Sequence, residues 1–90
     1  MARITSPAAV RIGENIRAAR IRRGLSQDQL AVATSINSSN IRSYETGRSL
    51  LAVPSLVRIA DALEVDPGEL LAEVTSEMLA PRARKAPDAR

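Results

Sequence analysis

The sequence predicts an all-α protein, and three observations support this prediction. The 90 residues are 44% hydrophobic but only 1% aromatic, so a core must be built from Ile, Leu, Val and Ala. That composition suits packed helices better than a sheet. Apolar residues recur at the spacing of helix faces and do not alternate as in strands. Capping residues, glycines and prolines stand at the ends of these segments, and the length suits one domain.

Composition also narrows the possible functions. The chain contains no cysteine and no histidine, which removes thiolate metal sites and the commonest acid–base residue. It offers no glycine-rich phosphate loop and no convergent carboxylate pair. We therefore expect a protein that is not an enzyme and that uses no cofactor, metal or small-molecule ligand. Because there is no long apolar run and no signal-peptide pattern, we expect a cytoplasmic protein without membrane contact.

Charge is divided unevenly along the chain. Residues 1–48 carry eight arginines and three acids, a net charge of +5, whereas residues 49–79 carry one arginine and six acids, a net charge of −5. Residues 80–90 carry four basic residues and one acid, a net charge of +3. Such a separation indicates one face for a polyanion and another for something else. Solvated surface charge without a partner is the alternative interpretation.

The first two helices are defined by their ends. The first is predicted from about Pro7 to Arg23 and stops at Gly24 with arginines in its last turn. Its inward face holds Ile12, Ile16 and Ala19. The second starts at a capping box made by Ser26 and Gln29 and ends near Ala33.

The third helix follows after a short link over residues 34–36. Asn37 is its predicted N-cap, and Gly47 terminates it. Ile36 and Ile41 have the spacing of a hydrophobic staple, which fixes the angle at which the chain enters the helix.

Two further helices are predicted towards the C-terminus. The fourth begins with Pro54 at its first position. The fifth begins with Asp66 as N-cap and extends as one helix to Leu79. We thus expect an N-terminal arm over residues 1–7, a domain over residues 8–80 with a C-terminal dimerisation helix, and a disordered basic tail over residues 81–90.

Helices two and three, joined by a three-residue link, form a predicted helix-turn-helix. In that motif the second helix lies in the major groove of double-stranded DNA. With Ile41 and Tyr44 facing the core, its outward stripe is free of acids and rich in hydrogen-bond donors. Arg42 in this stripe has the geometry to donate two hydrogen bonds to a guanine. The stripe consists of Ser38, Ser39, Arg42, Ser43 and Thr46.

The chain resembles the helix-turn-helix family of phage repressors and Cro proteins. The resemblance is carried by "IGENIRAARIRRGLSQDQLA", "SNIRSYETGR" and "PSLVRIADALEVDPGELL". It implies a five-helix domain like that of lambda repressor. It also implies a transcriptional regulator, a repressor in our interpretation, that binds a palindromic operator as a homodimer.

The resemblance also implies roles for individual residues. Base contacts are expected from Ser38, Ser39 and Ser43, in addition to Arg42, whose own donors already indicated such a contact. Phosphate contacts are expected from Gln27, Asn37, Asn40, Thr46 and Arg48. Gln27 is also expected to brace the third helix. A structural ion pair is expected between Arg20 and Glu45.

Two features depart from the family pattern. Ser35 stands in the link where the family usually has a glycine in a left-handed turn, so the turn is expected to be strained or adjusted. Leu50 and Leu51 stand where the family is usually polar, which suggests a subunit interface. We expect dimerisation to involve these leucines together with Val74 and Met78. An antitoxin-like protein, which binds a protein partner and regulates its own operon, is the alternative function because one fold serves both.

Overall fold

The computed structural model describes residues 6–79, and every regular element in this range is helical. The predicted all-α class with five helices is therefore confirmed. Residues 1–5 of the predicted arm, Ala80 and the predicted tail over residues 81–90 lie outside the described range. The elements are α1 (Pro7–Arg23), α2 (Gln27–Thr34), α3 (Ser38–Glu45), α4 (Val53–Leu63), α5 (Pro67–Leu70) and a 3₁₀ turn (Ser76–Met78).

The ends of α1 and α2 follow the local sequence signals. Gly24 closes α1 in the left-handed conformation, with φ of 75°. The predicted capping box of α2 is present: the Gln29 backbone N–H donates to Ser26 Oγ at 3.0 Å. In return, the Ser26 backbone N–H donates to Gln29 Oε1 at 2.8 Å. These caps satisfy backbone donors that a helix start leaves unpaired.

The turn between α2 and α3 keeps its left-handed residue although that residue is not glycine. Thr34 is the last residue of α2, so the connection lies one residue later than predicted. Ser35 adopts φ of 59° and ψ of 31°. Asn37 then caps α3, its Oδ1 accepting from the Ser39 backbone N–H at 2.8 Å. The turn is thus preserved at the expense of local backbone strain at Ser35.

The core is aliphatic, as the composition requires. Ile16, Leu30, Ile41, Ile59 and Leu63 are its largest buried side chains, together with Leu70. The predicted staple residues Ile36 and Ile41 are both buried in this one cluster. Tyr44 is half-buried and packs against it. Helix α4 begins one residue before Pro54, which is its second residue.

The prediction of one long fifth helix is wrong. Helix α5 ends at Leu70 and is followed by a turn, in which Glu73 has φ of 67°. A residue in that conformation cannot continue a right-handed helix. The chain then forms only the 3₁₀ turn at Ser76–Met78. The predicted dimerisation helix is therefore not a continuous helix in the structure.

A side chain from α1 explains where the C-terminal segment leaves the helical path. Asn15 Nδ2 donates to the carbonyl oxygens of Leu70 at 3.0 Å and Ala72 at 3.1 Å. In a continued helix these carbonyls would bind N–H groups four residues ahead. Instead, the N–H of Val74 donates to Leu71 O at 3.0 Å, a tight turn. The two hydrogen bonds from Asn15 therefore connect the end of α5 to α1.

Candidate nucleic-acid interface

The position of α3 depends on a close approach to α1. A Cβ added at Gly13 would lie 2.7 Å from the carbonyl oxygen of Glu45 and closer still to that of Tyr44. Contacts this short are not tolerated, so glycine is required for the two backbones to touch. Gly47, two residues after Glu45, has φ of 78°, and its Cβ position lies 2.8 Å from Val10 Cγ2. The C-terminal end of the predicted recognition element is therefore set against α1.

The predicted base-contact residues lie on the outer side of α3. Ser39 and Arg42 are exposed, while Ser38 and Ser43 are half-buried. The predicted phosphate-contact residues surround them: Asn37, Asn40, Thr46 and Arg48 are exposed and Gln27 is half-buried. Arg42 carries the only charge exposed on α3. The outer face of this helix is consequently polar and cationic.

The single carboxylate of α3 is removed from that face. Glu45 is buried, with its side chain only 2% exposed, and it pairs with Arg20 of α1. Arg20 Nε donates to Glu45 Oε2 at 2.6 Å, and Arg20 Nη2 donates to Glu45 Oε1 at 3.0 Å. The hydrogen bonds from this guanidinium to the carboxylate raise the pKa of Arg20 although partial burial opposes the shift. The pair is bidentate, the strong geometry for arginine and carboxylate.

Gln27, the first residue of α2, joins this pair to Arg42. Its Nε2 donates to Glu45 Oε1 at 3.0 Å. Its Oε1 accepts a longer hydrogen bond, of 3.4 Å, from Arg42 Nη1. The resemblance predicted the ion pair and a bracing role for Gln27, but it did not identify Arg42, fifteen residues away, as the partner of Gln27.

Some of the predicted DNA-contact residues already use hydrogen bonds within the protein. Ser39 Oγ donates to Asn37 Oδ1 at 2.7 Å. Thr46 Oγ1 donates to the carbonyl oxygen of Arg42 at 2.9 Å. These hydroxyl groups must rotate before they can donate to DNA, although their lone pairs remain available as acceptors. Asn40 differs, because its side chain forms no hydrogen bond with any residue in the range 6–79.

The predicted dimerisation residues divide into two kinds. Leu51 and Val74 are partly buried against the core of the same chain. Leu50 is 50% exposed, and Met78 is half-buried. Two further apolar side chains of α4, Val53 and Val57, are 70% and 47% exposed and were not predicted from the sequence. Their spacing of four residues, on the flank of the buried stripe of α4, is the signal that would have identified them.

Other kinds of site are not evident in the described part of the chain. Among residues 6–79, no three acidic side chains are grouped so as to hold a metal ion. None of the helices in this range has the length and apolar character needed to cross a membrane.

Comparison with known proteins agrees with this geometry. Residues 11–74 match the family model described as a helix-turn-helix domain. The chain is similar to the restriction-modification controller protein C.AhdI from Aeromonas hydrophila, with 31% identity and a TM-score of 0.67 over 69% of this chain and 94% of that one. The comparison with curated proteins gave no match.

The similar structures include two complexes with DNA. One is SinR, the master regulator for biofilm formation, with 26% identity and a TM-score of 0.65 over 67% of this chain and 97% of that one. The other is the P22 c2 repressor with a synthetic operator, with 26% identity and a TM-score of 0.64 over 68% of this chain and 92% of that one. The matched region contains α2, the turn and α3 with its acid-free outer face. The chain therefore belongs to the helix-turn-helix family of DNA-binding transcriptional regulators.

Proposed function

We propose that this protein is a sequence-specific repressor that binds a palindromic operator as a homodimer. Helix α3 enters the major groove, and Arg42 with Ser38, Ser39 and Ser43 meets the base edges. Gln27, Asn37, Asn40, Thr46 and Arg48 lie around them as phosphate contacts. A cytoplasmic location, where operator DNA would be reached, belongs to the same proposal.

The acid-free outer face of α3 is the observation that carries this proposal. Phosphates repel carboxylates, so an outer face without acids favours the approach of a helix to DNA. The only carboxylate of α3, Glu45, is buried and paired with Arg20. Arg42 remains exposed beside short hydroxyl side chains, which allow close approach to the groove.

Exposed apolar side chains support the homodimer. Leu50, Val53 and Val57 are between 47% and 70% exposed, and they occur after α3 and on α4. We define these three residues as the apolar patch. Apolar surface of this kind often marks a protein contact. To reach successive major grooves, the two copies of α3 in a two-fold dimer built on this patch must lie roughly 34 Å apart.

Repression is the mode of regulation that the resemblance favours. One structurally similar protein is the P22 c2 repressor in complex with its operator. A small DNA-binding dimer can repress by occupying a promoter and excluding the transcription machinery. No additional domain is required for that mechanism, only occupancy of the operator.

Selection of bound sequences from a random DNA pool at moderate salt tests the proposal. We expect an enriched palindrome whose half-sites are about one helical turn apart. Arg42→Ala should lose the preference at one base pair in each half-site, whereas Arg58→Ala, on α4, should keep the full preference. Enrichment of an asymmetric single site would contradict the homodimer but retain sequence-specific binding.

A protein partner is the second candidate function, and the apolar patch is the observation that favours it. Because the antitoxin-like alternative also binds its own operon, an enriched sequence is compatible with both candidates, whereas salt-sensitive binding without an enriched sequence favours the protein partner. The patch would then be occupied by a different protein, as in the antitoxin-like alternative.

A further inference from the structure

We propose that Arg17 of α1 contacts a DNA phosphate beside α3, so that the interface extends from the helix-turn-helix onto the first helix. The inference rests on the part of the proposed function that places α3 in the major groove. Arg17 lies outside the phosphate contacts expected from the resemblance, and its contact depends on charge without reading any particular base.

Arg17 belongs to a stripe of α1 that runs along α3. The stripe consists of Val10, Gly13, Arg17 and Arg20, whose spacing of three, four and three residues puts them on one side of a helix. The Cβ position at Gly47, just after α3, lies 2.8 Å from Val10 Cγ2. Gly13 packs against backbone carbonyls of α3, and Arg20 donates to the one carboxylate of that helix. Because the stripe meets α3 or its end on both sides of Arg17, Arg17 lies beside α3 as well.

Arg17 is on the solvent side of the contact between α1 and α3. The opposite side of that contact is closed by the core, where Ile16 of α1 and Ile41 of α3 are fully buried. Arg17 itself is exposed, whereas the side chain of Arg20 is only 11% exposed. The exposed arginine therefore stands at the edge of α3, next to the surface that this helix presents to DNA.

No acid in the described part of the chain neutralises Arg17. Glu14 is the only acid of α1, and it pairs with Arg11 at 3.6 Å. Glu45 is engaged by Arg20 in the buried bidentate pair. Within residues 6–79, Arg17 forms no ion pair. Its guanidinium can therefore bind a phosphate without giving up a partner, and its planar fork of donors suits two phosphate oxygens.

The expected direction of the side chain brings Arg17 towards the end of α3. Side chains on a helix lean towards its N-terminus, so we expect Arg17 to extend towards the level of Gly13. At that level α1 meets the last turn of α3, whose carbonyl groups at residues 44 and 45 pack against Gly13. Thr46 and Arg48, which follow that turn, are proposed phosphate contacts. Arg17 thus joins them at the phosphate backbone on one rim of the groove.

A second arginine of α1 provides a matched comparison. Arg22 is exposed like Arg17, and it also forms no ion pair within the range 6–79. It stands five residues further along the chain, which is about 140° around the helix axis and away from α3. Removing Arg22 therefore removes the same charge from the same helix without touching the proposed contact.

A phosphate contact and a solvated charge have different consequences. A phosphate that is neutralised by the protein releases its counterions, so loss of the contact makes the dependence of binding on salt less steep. The loss weakens binding to all DNA sequences evenly, because phosphates carry no sequence information. A solvated arginine beside the interface changes neither property by more than a distant charge would.

The test measures binding of the full chain to its selected operator and to an unrelated duplex at several salt concentrations. The variants are Arg17→Ala, Arg17→Lys, which keeps the charge, and Arg22→Ala. Thermal melting checks that each variant is folded. The operator is then prepared with single methylphosphonate linkages, each of which removes the charge of one phosphate without altering the bases.

We expect Arg17→Ala to weaken binding roughly three- to tenfold at about 0.1 M salt and to lower the slope of log K against log salt by about one. Arg17→Lys and Arg22→Ala should keep slopes close to that of the wild type. One methylphosphonate position in each half-site should weaken the wild type and Arg22→Ala but leave Arg17→Ala unaltered.

Equal slopes for Arg17→Ala and the wild type would overturn the inference, as would an equal loss of slope in Arg22→Ala. A loss of affinity confined to one base pair would also contradict it, because Arg17 would then be a base contact. If the random pool enriches no operator, the proposed repressor fails, whereas the slopes on the unrelated duplex still decide whether Arg17 meets a phosphate.

Discussion

Gly13 of α1 and Tyr44 of α3 meet backbone to backbone, with no room for a side chain between them. A Cβ on Gly13 would collide with the carbonyl oxygens of both Tyr44 and Glu45. The close approach also keeps α1 near enough for Arg20 to reach Glu45. The placement of α3 therefore depends on one residue that carries no side chain.

Gly13→Ala should lower the free energy of unfolding by about 1–3 kcal/mol because the added methyl group forces the two helices apart. Thermal or urea denaturation measures the effect. Gly68→Ala is the matched control, since nothing lies within 4 Å of its Cβ position and its φ is not positive. Equal stability of the two variants would show that the helices do not need this close contact.

Ser35→Gly should raise the stability by about 1 kcal/mol. Ser35 has φ of 59°, a conformation that costs an ordinary residue roughly 1–2 kcal/mol and glycine very little. The greater flexibility of glycine in the unfolded chain offsets part of this gain. Ser35→Val should instead lower the stability, because a β-branched residue suits this conformation poorly. A Ser35→Gly variant less stable than the wild type would mean that the turn is not strained.

Arg48→Ala should weaken binding to all DNA sequences and lower the slope of log K against log salt by about one. Arg48 is exposed just after α3, where the phosphate backbone would pass. Titrations of labelled operator at several salt concentrations measure the slope. Arg58→Ala on α4 removes the same charge from the acidic part of the chain and should leave the slope unaltered. Equal slopes for the two variants would remove Arg48 from the interface.

Substitution of Leu50 and Val53 by Ser should reduce self-association, since both belong to the apolar patch. Leu51 is spared in this experiment because it packs against the core, so its loss would also unfold the protein. Sedimentation velocity over a range of concentrations measures the mass. Val32→Ser on α2 is the control, because Val32 is 81% exposed but lies outside the patch. An unaltered mass in the double variant would place the dimer interface elsewhere.

The helices that carry the site could be predicted closely from the sequence. Ser26, Gln29, Asn37 and Gly47 are local signals, and each stands at or beside a helix end in the structure. Such signals work because backbone groups at a helix terminus need partners within a few residues. The outward face of α3 could also be predicted, because placing Ile41 in the core leaves the opposite side of the helix exposed.

The features that could not be predicted depend on contacts between residues that are far apart in the sequence. The apolar spacing after Asp66 fits a helix, yet Asn15, more than fifty residues earlier, binds the carbonyls at which that helix ends. The contact between Gln27 and Arg42 arises only when α2 and α3 pack together. The exposure of Val53 depends on which flank of α4 the other helices cover. Neither the contact of Asn15 with these carbonyls nor the contact between Gln27 and Arg42 leaves a periodic trace in the sequence.

Because Glu45 is buried, the charge that α3 would present to DNA depends on the tertiary structure. As a free peptide, Ser38–Glu45 is electrically neutral, since Arg42 and Glu45 cancel. In the folded protein Arg20 neutralises Glu45 in the interior, so Arg42 is the charge that α3 exposes at the surface. An excised α3 would therefore lack the cationic character of its native surface. The attraction of this helix itself to a polyanion therefore depends on the folded domain, in which Glu45 is buried.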